Sequence, residues 1–304
     1  MRVAVFGATG TVGSALLPAL ARAHDVVALS RHERSGGGVT WLEADANDAA
    51  SVRRALDGAD VAYYLVHSLG SPDFENRDRA AARTIAHEAE RAGLSQLVYL
   101  GGLGDDSPDL SPHLRSRLET QRELGSGSVP LTTLRAAIVI GRGSAGFETI
   151  VALVDRLPAM ICPRWVAVRT QPIALGDVVE YLAGVCGNAQ AIGETFDVGG
   201  PEVMTYREMI ERVGAMRGKR PLIVEVPLLT PRLSSYWLHL VTPVKASVAR
   251  PLIEGLRNET VAGEDRIREV VPVELTSFDA AVRGAIGQTE PNVRDRSDTG
   301  RSPR

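Results

Sequence analysis

Arg2-Val3-Ala4-Val5-Phe6-Gly7-Ala8-Thr9-Gly10-Thr11-Val12-Gly13 opens the chain, and the fold follows from how this stretch reads. The apolar run over residues 2–6 is that of a strand buried on both faces, and Ala15, Leu16, Leu17 and Leu20 recur beyond it at helical spacing. Between the two stand Gly7, Gly10 and Gly13, three apart. Gly7 permits a tight turn, Gly10 lets the backbone approach a pyrophosphate, and Gly13 lets the helix pack close to the sheet. Free amides at the helix start face the anion, so Thr9, Thr11 and Val12 join the glycines as expected contacts of a dinucleotide.

Strand-like and helix-like segments then alternate. Strands are predicted over residues 25–30, 39–44, 60–66, 96–100 and 131–140, with helices over 49–56 and 74–92, the latter closed by Gly93. Parallel neighbours need a crossover helix between them, so this rhythm predicts an α/β fold with a doubly wound parallel Rossmann sheet. Past Gly141 the rhythm changes. A helix over 177–186, a strand over 194–198 and a capping box, Thr205 with Glu208, lead into Pro-punctuated sequence. The expected division is a nucleotide-binding domain over 1–142, completed by about 168–200. A smaller C-terminal substrate lobe takes 143–167 and 201–287, and 288–304, poor in apolar residues, is expected to be a disordered tail. Pro18 is expected to kink the first helix.

A formal net charge of −3 with mixed signs and no basic run interleaved with aromatics argues against nucleic acid as a partner. Cys162 and Cys186 have neither metal-ligand nor disulfide-framework spacing; two buried thiols in a reducing compartment are expected, and no metal site. A strand at residue 2 implies no leader ahead of it, and no apolar stretch is long enough to span a bilayer, so the expected location is cytoplasmic. Residues 228–244, with Pro231, Tyr236, Trp237 and Pro243 and few charges, read as a lid over an apolar substrate, a peripheral membrane contact, or ordinary core.

The end of the second strand meets the adenosine ribose in such a fold. Arg31 stands there, so a 2′-phosphate and hence NADP(H) rather than NAD(H) is expected, with His32 or Arg34 adding charge. Asp45, ending the third strand, is placed either to accept from the adenine amino group or simply to shape a turn. Val66, His67 and Ser68, ending the fourth, should border the nicotinamide half of the cleft, and His67 is a candidate proton donor. Alternation sends only one of Tyr63 and Tyr64 toward that cleft. Arg135, inside an apolar strand, needs a carboxylate or phosphate partner.

These features together resemble the short-chain dehydrogenase/reductase superfamily, in the extended, atypical branch that includes NmrA-like proteins and the NAD(P)H-binding accessory subunit of respiratory complex I. Besides the glycine motif, the resemblance rests on residues 60–68, Tyr-Leu-Gly-Gly-Leu-Gly at 99–104, Leu134-Arg135 leading to Ile140-Gly141, and Thr-Gln-Pro-Ile at 170–173 before Asp177-Val178. The family's chemistry uses a Tyr, a Lys one turn later, and a Ser near the end of the fifth strand. Here His113 and Arg117 stand in place of the pair, and Gly101-Gly102 in place of the hydroxyl. Ser111 as N-cap and Pro112 at the first helical position start a helix, so His113 and Arg117, four apart, share one face. The resemblance implies an NAD(P)H-dependent oxidoreductase of an apolar carbonyl, enone or quinone, with His113, Arg117 and His67 at its centre. The lost Tyr, Lys and Ser suit instead a non-catalytic NADP(H)-binding sensor or assembly protein, in which His113 and Arg117 only anchor ribose and phosphate.

Overall fold

Alternate residues of the first strand go to opposite cores, and that sets the layers. The computed structural model describes residues 1–68, 73–104, 107–226 and 255–287. In β1 (Arg2–Phe6), Val3 and Val5 pack into one apolar cluster with Leu16, Leu17 and Leu20 of α1 (Thr11–Leu20), while Ala4 and Phe6 enter another on the far face. Each strand of a doubly covered sheet reads as a continuous apolar run for this reason. After β2 (Asp25–Ser30), β3 (Thr40–Glu43), α2 (Ala49–Leu56), β4 (Val61–Tyr64), α3 (Phe74–Ala92), β5 (Gln96–Gly102), α4 (Pro112–Leu124) and β6 (Leu131–Ala136), the main chain leaves the sheet. It returns once, as β11 (Thr195–Val198). The seven strands, in the order β11-β6-β5-β4-β1-β2-β3, are all parallel. This is a Rossmann-like α/β sheet flanked by helices on both faces.

The run over 131–140 is not one strand. β6 stops at Ala136, and Val139–Ile140 (β7) turns away to pair with β10 (Ile173–Ala174). An apolar run looks the same whether it stays in the sheet or bends out of it; here Ala137 and Ile138, at the bend, line a cavity. α1 continues through Pro18. Pro18 and Ser14, whose carbonyl loses its helical partner, both lie on the exposed side of α1, where water can serve that carbonyl.

A third apolar cluster joins α5 (Ala145–Arg156), β8 (Ala159–Pro163), a 3₁₀ turn (Arg164–Ala167), α7 (Tyr206–Met216), β13 (Leu222–Val226) and α8 (Phe278–Gly287). Around it lie β9 (Arg169–Thr170), paired with β12 (Met204–Thr205), and the parallel pair β8–β13. The helix α6 (Leu175–Gly184) packs beside α1 on the first face. At the start of α7, Thr205 accepts from the Glu208 amide and Glu208 accepts from the Thr205 amide, the predicted capping box. No helix among the described residues is long and apolar enough to cross a membrane. The readings of 228–244 and of the tail from 288 lie outside the described residues.

Arg135 of β6 lies opposite Asp197 of β11 in register, and its guanidinium meets that carboxylate at 2.6 Å, so the strand cation has a carboxylate partner. Neither Tyr63 nor Tyr64 reaches the cleft. Tyr63 donates to Leu182 O at 2.6 Å on the α6 side, and Tyr64 faces α3 with its ring 6.2 Å from that of Tyr99. Both are fully buried beneath the strand end, so the cleft begins only beyond them.

Candidate functional site

Parallel strands bring their C-terminal ends to one edge, and the strand order reverses between β1 and β4, so a crevice opens at that edge. On its near wall, Gly7 has φ +85°, and a Cβ there would lie 2.7 Å from the Leu65 carbonyl carbon and oxygen. A Cβ on Gly13 would lie 2.2 Å from Gly7 O. Only hydrogen fits at these two positions, because the end of β4 and the start of α1 both pack on the turn. Gly10 is different. Its amide closes the turn on Gly7 O at 3.0 Å, and as N-cap of α1 it has no side chain to occupy the first-turn amides. Those amides and the positive end of the helix therefore remain open to an anion, which is what a dinucleotide's phosphate bridge requires. Gly10, Thr11, Val12 and Gly13 line the cavity, and Thr9 is exposed beside them. Thr11 Oγ1 donates to Gly143 O at 2.7 Å, tying the loop before α5 to this turn.

At the other end of the crevice Arg31 follows β2 directly and is exposed. Its charge reaches Asp45: the Asn47 amide holds the Asp45 carboxyl below the usual range against the pull of burial, and Arg31 and Arg77 add to the lowering. One Asp45 oxygen accepts twice from Asn47, at 2.9 and 3.2 Å, which makes a turn as well as leaving the second oxygen available. The two residues read as ribose and adenine contacts thus share one corner.

The central part of the cavity brings together His67, His113 and Arg117. Ser111 Oγ caps α4 by accepting from Leu114 N, Pro112 takes the first helical position, and His113 and Arg117 fall on one face. Arg117 is held from three sides. It donates through Nη2 to Leu100 O, its guanidinium lies over the Tyr99 ring at 4.8 Å, and the Tyr99 hydroxyl donates to Arg117 O at 3.1 Å. Gly102, in the place of the family hydroxyl, makes room for this: a Cβ there would already be 3.0 Å from Leu114 Cδ2, with the stem of Arg117 beside it.

Burial first, then the Arg117 charge and His67, bring the pKa of His113 down to about 3. Burial and Arg117 bring His67 down to about 4. His67 is exposed on the side that lines the crevice, with the rest of its ring packed beneath. Both imidazoles are neutral at physiological pH, and the site holds one fixed cation.

Val66 and Ser68, read as cofactor contacts, turn their side chains the other way. Val66 packs in the cluster on the α3 side, and Ser68 lies beside Asp78, where its hydroxyl and amide pull that carboxyl's pKa down against burial. Leu65 and His67 take the cavity positions instead. The period of two was legible in the sequence; its parity was not, because buried residues precede this strand end on both faces.

Beyond His113 the cavity, of about 540 Å³, becomes apolar, walled by Ile138, Ile150, Leu153, Trp165, Tyr206 and Ile210. Trp165 and Tyr206 meet edge to face, with centroids 6.3 Å apart. The Tyr206 hydroxyl turns away to Thr170 and Thr260, leaving its ring on the cavity side. Sequence reading missed these two, since lone aromatics far apart in the chain carry no periodic signal. It also missed Asp78, for which a signal existed: Asp78, Ala81, Ala82 and Ile85 form one helical stripe, and an acid on an apolar stripe is buried. Among the described residues, no group of His, Cys, Asp and Glu is arranged to hold a metal.

Comparison with known proteins agrees with this geometry. Residues 7–125 match the family described as NAD(P)H-binding, and the chain carries an NAD(P)-binding domain of Rossmann type. Its sequence is similar to mouse NADH dehydrogenase (ubiquinone) 1 alpha subcomplex subunit 9, mitochondrial, with 23% identity over 239 residues. That match covers 74% of this chain and 63% of the relative, so the chain spans less than two thirds of the mouse protein. Among solved structures, triphenylmethane reductase of Citrobacter sp., complexed with NADP(H), superposes with TM-score 0.75 at 18% identity, over 94% of this chain and all of the other. The Escherichia coli NADPH-dependent quinone oxidoreductase complexed with NADPH gives 0.73 at 18% identity, over 93% and 98%. These structural likenesses establish the fold.

Proposed function

We propose that the protein is an NADPH-dependent oxidoreductase whose acceptor is an uncharged, apolar quinone or enone. The observation that carries this is the meeting of one guanidinium and two neutral imidazoles between the glycine cradle and an apolar, aromatic-walled cavity. NADPH, when bound along Gly7–Gly13, supplies hydride. The chain's part is to orient the acceptor and to stabilise the negative charge that grows on its oxygen. Arg117 does so with its permanent charge at the cavity wall. His113 and His67, as neutral imidazoles, add ring N–H donors.

None of these groups is a ready proton source. Arginine does not release its proton, and imidazoles that protonate only near pH 3 to 4 hold none to give. A saturated ketone would become an alkoxide and needs an acid at once. A quinone or enone instead becomes a delocalised phenolate or enolate that water can protonate later, which is the chemistry this site suits. Purified protein should therefore consume NADPH with a quinone or an enone and not with a matched saturated ketone. Absence of turnover with every acceptor would overturn the reading and favour the non-catalytic NADP(H)-binding protein, which the missing Tyr and Lys also suit.

The choice of NADPH rests on Arg31, the exposed cation at the ribose corner. Arg31→Asp should weaken NADPH binding by about 30-fold while changing NADH affinity less than about three-fold, the difference reflecting one lost charge-assisted contact to a 2′-phosphate. Fluorescence titration with both nucleotides measures it, and equal losses would place the phosphate elsewhere.

A further inference from the structure

The two-stranded sheet β8–β13 is apolar on both faces and covered on one. Its strands run in register, Ala159 beside Leu222, Met160 beside Ile223 and Ile161 beside Val224. Met160, Cys162 and Ile223 point inward, into the third apolar cluster. The alternate set points out: Ile161, Leu222 and Val224 are 66%, 62% and 43% exposed, and Ala159 is exposed opposite Leu222. No other large apolar side chain among the described residues is as open to solvent as Ile161 and Leu222. Single exposed apolar residues are ordinary, but these are cross-strand and same-face neighbours and make one plate. A sheet that meets water on one face alternates apolar with polar residues, whereas Ala159 to Cys162 and Leu222 to Val224 read as strands covered on both sides.

Positive charge gathers at one end of this plate. β8 follows Arg156, the last residue of α5, and β13 follows Arg217-Gly218-Lys219-Arg220; the Leu222 amide donates to Pro158 O at 2.9 Å, which brings the two approaches together. Arg217 and Lys219 converge on Asp155 at 2.7 and 3.3 Å. Arg156 and Arg220 are exposed and form no ion pair among the described residues. Four cations against one carboxylate leave three positive charges there, on a chain whose formal net charge is −3. The acids on the α7 side, Glu211 and Glu225, are both held by Arg207.

We infer that this plate is a docking surface for an anionic lipid bilayer, with Ile161, Leu222 and Val224 entering the headgroup boundary and Arg156, Lys219 and Arg220 meeting lipid phosphates. An apolar patch with a basic rim is what such a surface requires. A second copy of the chain fits less well, because four modest side chains on two short strands fall well short of the ~800 Å² per partner that a stable pair buries. A bilayer needs no such area, since each Lys or Arg beside an anionic leaflet strengthens binding about five-fold. The same cluster walls the acceptor cavity through Ile150, Leu153 and Ile210, so docking brings that cavity to the phase in which apolar quinones dissolve. This consequence, unlike the docking itself, rests on the proposed acceptor.

The test is sedimentation of the full chain with vesicles of phosphatidylcholine alone and of phosphatidylcholine and phosphatidylglycerol in equal parts. The wild type should pellet with the mixed vesicles and hardly with the neutral ones, and added salt should release it. Ile161→Thr with Leu222→Thr keeps strand preference and leaves the inner face untouched, and it should weaken binding to mixed vesicles about ten-fold or more. Arg156→Gln with Arg220→Gln should weaken it about five-fold for each charge removed. Both variants should melt like the wild type. No pelleting of the wild type with mixed vesicles, or binding that both variants retain in full, would overturn the inference. A dimer in sedimentation velocity that the Thr variant dissolves, without vesicle binding, would overturn it in favour of a second copy. None of these measurements needs turnover, so a protein that binds vesicles as described yet reduces no quinone would refute the proposed acceptor and uphold the docking surface.

Discussion

Gly13→Ala should abolish measurable NADPH binding and destabilise the fold by about 3 kcal/mol, because the new methyl group has no room and its neighbours cannot rotate away. It would lie 2.2 Å from Gly7 O and 2.9 Å from both Ala8 Cα and the Gly7 carbonyl carbon, all backbone atoms of the turn. Relief requires α1 to move off β1, which opens the contact of Leu16, Leu17 and Leu20 with Val3 and Val5 and drags the first-turn amides away from the crevice. Gly10→Ala is the informative contrast. Its Cβ would meet only Gly7 O, at 3.3 Å, and points toward the cavity side of the turn. It should cost only about 1 kcal/mol, since Gly7 O must give by a few tenths of an ångström, yet weaken NADPH binding about 50-fold by filling the space a phosphate needs. Thermal melts and nucleotide titrations of the two variants separate a turn that carries the helix from one that carries the ligand. A Gly13→Ala protein that melts like the wild type would mean that the α1–β1 contact is not as close as described. A Gly10→Ala protein with full NADPH affinity would mean that the phosphates lie elsewhere.

That contrast also shows what made part of this molecule readable from sequence. β1, β2, α2 and α3 run over the residues that the apolar pattern and its punctuation predict, since each is delimited by a local signal: the glycine turn after Phe6, Asp48 accepting from two amides at the start of α2, and Gly93 in the left-handed region ending α3. The His113–Arg117 face was equally local, being fixed by Ser111, Pro112 and the helical repeat. Where the sequence is silent, the reason is of another kind. Val66 and Ser68 are expected to border the nicotinamide half of the cleft, and one of Tyr63 and Tyr64 to face it, yet all four side chains turn elsewhere, because period two gives the alternation but not which face is which. The faces are decided by partners distant in sequence, Leu182 for Tyr63 and Asp78 for Ser68. The bend after Ala136 escaped for the same reason: the pairing of β7 with β10 lies more than thirty residues along the chain, and apolar residues fill both the sheet and the cavity wall. What is local in sequence was legible; the side chains that make the crevice chemically particular come from elements brought together only by the fold.

Arg117→Ala should lower the rate of quinone reduction about 10²–10³-fold in kcat with a smaller change in KM, since it removes the donor and charge that meet an oxygen only as negative charge grows on it. Arg117→Lys should recover little. An ammonium cannot both reach Leu100 O and stack over Tyr99, which the planar guanidinium does. His113→Gln should stay within about ten-fold of the wild type, because an amide keeps a hydrogen-bond donor and a neutral imidazole was contributing no proton. The pH profile follows from the same charges, and its sign can be worked through. The imidazoles of the folded protein protonate at about 3 and about 4, below the ordinary value near 6.5, so between pH 5 and 8 neither changes charge and kcat should be flat. Stability should change where activity does not. The unfolded chain takes up protons on both histidines as pH falls through 6.5 and the folded chain does not, so the melting temperature should fall on acidification from pH 7 to 5, less steeply in His113→Gln. A kcat limb near pH 6.5 that vanishes in His113→Gln would show instead that His113 holds a transferable proton at neutral pH. The enclosure assigned to this crevice would then be wrong, and simple ketones would return as substrates.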